Sequence, residues 1–147
     1  MGAAPSVTRP LRFLSPEQII AIHDTLLGAT GGRGGGGHRG AAYEGVDAAA
    51  QAVKNSYYET LEELAAACAV YIVQGHVFAG GNKRTGAAAM LTFLRANGGR
   101  TAISADHLAA MMIELQRRAE SGEDVGRLVR SIAADLARRP PRSRRPR

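Results

Sequence analysis

The residues best suited to chemistry sit in one stretch, His76-Val77-Phe78-Ala79-Gly80-Gly81-Asn82-Lys83-Arg84-Thr85. Ten residues hold an imidazole, a glycine pair, an amide, two cations and a hydroxyl, with alanine-rich apolar runs on both sides. The glycines let the backbone turn tightly and approach a ligand. A helix beginning near Asn82 would offer unpaired N–H groups and the positive end of its dipole, which is an anion site. Lys83 and Arg84 add positive charge, and Asn82 adds an amide that can donate to a phosphate oxygen. His76, just before the turn, is suited to take a proton from a hydroxyl at neutral pH. Phe78 reads as an anchor to the core. The combination points to phosphoryl or nucleotidyl transfer from a nucleotide with His76 as base. On spacing alone an ordinary helix–helix connection stays open.

The flanking elements must position this loop, and their periodicity is helical throughout. Ser15-Pro16-Glu17-Gln18 is a helix start, with Ser15 as cap and Gln18 three residues on. Ile19, Ile20, Ile22, Leu26 and Leu27 continue that face, and Gly28 is the stop. His23 and Asp24 read as surface or helix-packing residues. Residues 48–57 form a second segment with Asp47 as cap, and residues 61–74 a third, closed by Gly75. The helix from Asn82 to Asn97 follows the loop, ending at Asn97-Gly98. Residues 101–103 are expected to be a short extended piece. Two further helices start at Ser104 and Asp124, the last with Val125, Leu128, Val129, Ile132 and Leu136 on one face. The expectation is an all-α, compact single-domain bundle of about six helices spanning residues 13–137.

Residues 31–40 read GGRGGGGHRG, seven glycines in ten. That composition suits a mobile flap beside a site and equally a tolerated surface insertion; the Gly-Lys-Ser/Thr ending of a phosphate-binding P-loop is missing. His38 and Arg39 are its strongest contact residues. Residues 1–12 read as a loose leader.

Composition excludes several classes. One cysteine, Cys68, in an apolar run, leaves no disulfide framework within the chain and reads as a buried small hydrophobe. No apolar run reaches the ~18 residues of a membrane span, and no secretory signal is apparent, so a cytoplasmic protein is expected. The net charge of +6 equals the six arginines of residues 138–147, RRPPRSRRPR, so the rest is near neutral. That Arg/Pro tail is expected to be disordered; counterion release would let it touch nucleic acid or an acidic partner, while a solvated end is the favoured reading.

The run His76-x-Phe78-x-x-Gly81-Asn82-Lys83-Arg84-Thr85 resembles the motif of the Fic/Doc family, and its Asn-Lys-Arg-Thr form is similar to the death-on-curing (Doc) toxin branch. Leu14-Ser15-Pro16-Glu17 with Ile22-His23-Asp24, and Thr92-Phe93-Leu94-Arg95-Ala96-Asn97-Gly98, resemble the family's surroundings of that motif. The resemblance implies a helical bundle and ATP-dependent modification of a protein hydroxyl. Fic members typically carry Gly after the Asn and transfer a nucleotide monophosphate. Doc carries Lys there and moves the terminal phosphate to a threonine of elongation factor Tu, blocking translation. Lys83 stands at that position, and Ala87 stands where Fic motifs have a second arginine. The implied roles are His76 as general base, Asn82, Lys83 and Arg84 on phosphates, and Gly81 as backbone donor, with ATP and Mg2+ as cofactors.

One departure bears on the metal. Gly80 stands where the family has an Asp or Glu that binds magnesium. A glycine supplies no carboxylate to a hard dication. Three readings follow: a weak enzyme whose magnesium is weakened or differently held, another acid such as Glu44 or Asp47 reaching in, or a catalytically impaired binding protein. The alternative activity is a protein adenylyl- or nucleotidyl-transferase of Fic type. No self-inhibiting Ser/Thr-x-x-x-Glu-Gly/Asn segment occurs in the chain, so the resemblance implies neutralisation in trans by a small antitoxin, part of which folds on binding.

Overall fold

The structure, a computed structural model, describes residues 10–28 and 41–138, and the expectations for the leader's first nine residues, the glycine-rich segment with His38 and Arg39, and the tail from 139 lie outside them. The described residues form six α-helices and no strand: α1 (Pro16–Leu26), α2 (Ala41–Lys54), α3 (Leu61–Gly75), α4 (Asn82–Ala96), α5 (Ala105–Glu120) and α6 (Val125–Ala137). None is long and apolar enough to cross a membrane.

The helix starts are built from the caps in the sequence. Ser15 and Thr60 each form a capping box, with Gln18 and Glu63 three residues on. Ser104 and Asp124 cap α5 and α6 by accepting from the amides of His107 and Arg127. Each such cap is worth about 1 kcal/mol.

Helix α3 is the axis of the bundle. Leu64 through Val70, with Ile72 and Val73, are all buried, and α3 packs against α2, α4, α5 and α6. A helix apolar on every side belongs inside. Its alanines allow close neighbours, above all α4, where an added Cβ on Gly86 would stand 3.3 Å from the Ala69 carbonyl oxygen. The expected face of α6 is confirmed, with Leu128, Val129, Ile132 and Leu136 buried.

Two local expectations are corrected. Helix α2 begins at Ala41, so Asp47 lies within it and is no cap, and it ends at Lys54, short of residue 57. Gly45 weakens the helical signal before residue 48, yet Val46 beside it is fully buried, and that packing outweighs the ~1 kcal/mol propensity cost. Residues 101–103 pair with no strand. Instead the Thr101 hydroxyl donates to the Leu136 carbonyl at 2.9 Å, satisfying an acceptor in the last turn of α6. At the other end of the chain, Arg12 is held by Asn97, whose Oδ1 accepts from the Arg12 amide at 2.7 Å and whose Nδ2 donates to its carbonyl at 3.0 Å.

Candidate active site

The end of α3 and the start of α4 meet at a cleft of about 410 Å³, and His76, Gly80, Gly81, Asn82, Lys83 and Arg84 all line it. The sequence-predicted residues therefore converge. Leu27, Val73, Ala79 and Gln116 complete the lining.

His76 is the residue that leaves α3. It caps the helix in the left-handed conformation at φ 46°, ψ 48°, where Gly75 was expected to make the stop. Among the described residues it is the one non-glycine with positive φ. A Cβ in that region costs about 1 kcal/mol, and the turn places an exposed imidazole at the cleft.

The following turn is fixed from three sides. Phe78 is the expected anchor, 5% exposed, its ring stacked on His23 of α1 with centroids 3.9 Å apart. His23 Nε2 lies 2.8 Å from the Gly80 carbonyl oxygen. A carbonyl oxygen can only accept, so Nε2 is the donor in this contact, while Nδ1 lies 3.2 Å from Asp24 Oδ1. Asn82 closes the turn, its Oδ1 accepting from the Phe78 amide at 3.0 Å and its Nδ2 donating to the Phe78 carbonyl at 2.9 Å. The Asn82 amide shapes the loop, and its Nδ2 has a second hydrogen to donate. Gly81 is required twice over: its φ is 78°, and an added Cβ would sit 3.0 Å from both Leu27 methyls.

Gly81 is also the N-cap of α4 and supplies no side-chain cap. The first turn of α4 holds no acid; Lys83 and Arg84 occupy it instead. Cations at the positive end of a helix dipole are unfavourable by about 0.3–1 kcal/mol each, and an anion there reverses the sign. The Lys83 ammonium donates to Gln116 Oε1 on α5. Arg84 is exposed at the cleft.

Sequence reasoning missed His23 and Gln116 as site-builders. His23, 57 residues from Gly80, is buried at 6%, which agrees with the helix-packing alternative and not with the surface one. Gln116 carries no local motif. Leu27, expected on the apolar face of α1, is 40% exposed and lies over Gly81. Cys68 is buried as expected, and burial pushes its thiol from an ordinary 9.0 to about 12, so it is no nucleophile.

Residues 13–94, more than half the chain, match the Fic/DOC family. The chain belongs to the Fic/DOC family. It is 38% identical over 91 residues to the protein kinase doc of Escherichia phage P1, a match covering 60% of this chain and 70% of that protein. Within the Fic/DOC family it stands with the Doc branch.

The magnesium ion that this membership implies does not fit the donors of the cleft. All thirteen Asp and Glu side chains fall in the described segments, and none lines the cleft, Glu44 and Asp47 included. Among the described residues no group of three or more His, Cys, Asp and Glu could hold a metal. Magnesium is normally held through one or two carboxylates besides phosphate and water.

Proposed function

We propose that this Fic/DOC protein is a Doc-like toxin kinase, moving the terminal phosphate of ATP to a hydroxyl of a protein such as elongation factor Tu and so blocking translation. The observation that carries the reading is the convergence of His76 with Lys83 and Arg84 on one cleft at the start of α4. The 38% identity to a protein kinase supports it, as does Lys83, which resembles the Doc form of the motif.

The chemistry assigned to the chain's own residues is simple. The hydroxyl oxygen of the target bonds to the γ-phosphorus, the bond to the bridging β–γ oxygen breaks, and ADP leaves. The hydroxyl proton passes to the imidazole of His76. Lys83, Arg84 and the amides opening α4 meet the charge on the phosphate oxygens, where stabilisation of the transition state is worth most. Antitoxin capture in trans completes this reading. It rests on branch membership and on the lack of a self-inhibiting segment.

A carboxylate-free cleft favours a second reading, a Fic-fold protein that binds nucleotide but transfers slowly or not at all. Labelled ATP separates the cases. The purified chain is incubated with cell extract and ATP labelled at the γ- or α-phosphate. Label from γ alone supports the kinase. Label from α points to monophosphate transfer. No label from either, with ATP bound, leaves the binding protein.

A further inference from the structure

We propose that this cleft binds the phosphates of its ligand without a divalent cation, their charge being met by Lys83, Arg84 and the amides at the start of α4. The inference rests on the nucleotide reading above but concerns a different property, how the phosphate charge is neutralised.

The charge inventory is complete enough to decide the point. Residues 1–9, 29–40 and 139–147 contain no Asp or Glu, so these segments add no carboxylate side chain to the inventory.

Three neutral oxygens of cleft-lining residues already accept hydrogen bonds. The Gly80 carbonyl accepts from His23 Nε2 at 2.8 Å. Asn82 Oδ1 accepts from the Phe78 amide at 3.0 Å, inside the turn it closes. Gln116 Oε1 accepts from the Lys83 ammonium, so a dication there would stand beside a positive charge. A hard dication wants about six oxygens, some of them anionic. Here the protein itself offers no anionic oxygen, and three of its neutral ones already accept from protein donors. The same groups suit a bare polyphosphate: two cations lie in the first turn of a helix whose N-cap has no side chain.

Gly80 makes the idea directly testable. Its Cβ position meets no described atom within 4 Å, so Gly80→Asp is a suitable way to restore a carboxylate to a residue that lines the cleft. Calorimetric titration of the full chain with ATP is run in EDTA and in excess Mg2+ at matched ionic strength. The expected result is a Kd in EDTA equal to or lower than that in Mg2+, a loss of tenfold or more in EDTA for Lys83→Gln, and a shift of the preference toward Mg2+ in Gly80→Asp. Affinity for ATP that is tenfold or more higher in Mg2+ for the unsubstituted chain overturns the proposal. So does undiminished metal-free binding in the double variant Lys83→Gln, Arg84→Gln. Inorganic tripolyphosphate separates this idea from the nucleotide reading. If it binds in EDTA while ATP binds in neither buffer, the nucleotide reading falls and the metal-free site stands. If neither ligand binds in EDTA, the metal-free site falls.

Discussion

His23 and Phe78 lie face to face, ring centroids 3.9 Å apart and planes 9° from parallel. One ring belongs to α1 and the other to the loop before α4, so the stack joins the first helix to the site. The Gly80 carbonyl, bound by the same imidazole at 2.8 Å, adds direction to the contact. His23→Phe keeps the stack and loses the hydrogen bond to Gly80, together with the Nδ1 contact to Asp24. We expect it to lower stability by about 1 kcal/mol, because water can reach the exposed Gly80. Hydrogen exchange should quicken in residues 77–82 but not in α3 or α6. His23→Ala removes the stack too and should cost about 3 kcal/mol. Equal exchange in the loop of His23→Phe and the parent chain would show that the contact does not fix the turn.

His76 tests backbone and chemistry separately. Its φ of 46° suits glycine or asparagine better than most residues. His76→Gly is therefore expected to raise the melting temperature, by about 1 kcal/mol of stability, while cutting label transfer roughly 10²–10⁴-fold. A His76→Gly chain that melts lower than the parent would mean that the side chain holds the turn, contrary to its exposure.

Cys68 sets an alkaline limit on stability. Burial raises its thiol from 9.0 to about 12, so between those values the folded chain keeps a proton that the unfolded chain has lost. Stability contributed below pH 9 is therefore lost as pH rises, by roughly 1.4 kcal/mol per pH unit across that window. Cys68→Ala should flatten this limb of a denaturation series at pH 8 to 11. Parallel limbs for the two proteins would refute the assignment. In the native state at pH 8, Cys68 should also resist iodoacetamide.

Thr85 carries a small avoidable cost. It is fully buried in α4, and its hydroxyl oxygen has no hydrogen-bond partner among the described residues. Thr85→Val keeps the shape and removes the orphan group, and should stabilise the fold by about 1 kcal/mol. Thr85→Ser retains the hydroxyl and loses a methyl, so it should destabilise by about 1 kcal/mol. Thermal melts of the pair decide the matter; a lower melting temperature for Thr85→Val would point to a partner for the hydroxyl in solution.

Much of this architecture is written locally. Caps at Ser15 and Ser104, the stop at Gly98, the buried run of α3 and the apolar stripe of α6 depend on neighbours within one or two helical turns, so periodicity reveals them. The start of α2 was hidden, because Gly45 reads as a breaker until the burial of Val46 is known. The partner of Thr101 was hidden for a similar reason: its hydroxyl answers a carbonyl 35 residues away.

The sequence by itself determined the helices, the order of the site residues from His76 to Arg84 and, through Gly80, the lack of a carboxylate at that position. Only the tertiary structure decided that no other acid comes to the cleft in its place, that His23 holds the Gly80 carbonyl and that Gln116 receives Lys83. Those contacts span 57 and 33 residues, and packing around α3 sets such distances. Hydrogen bonds act over about 3 Å, so which partners meet is settled by the packed geometry of the helices, which no local pattern encodes.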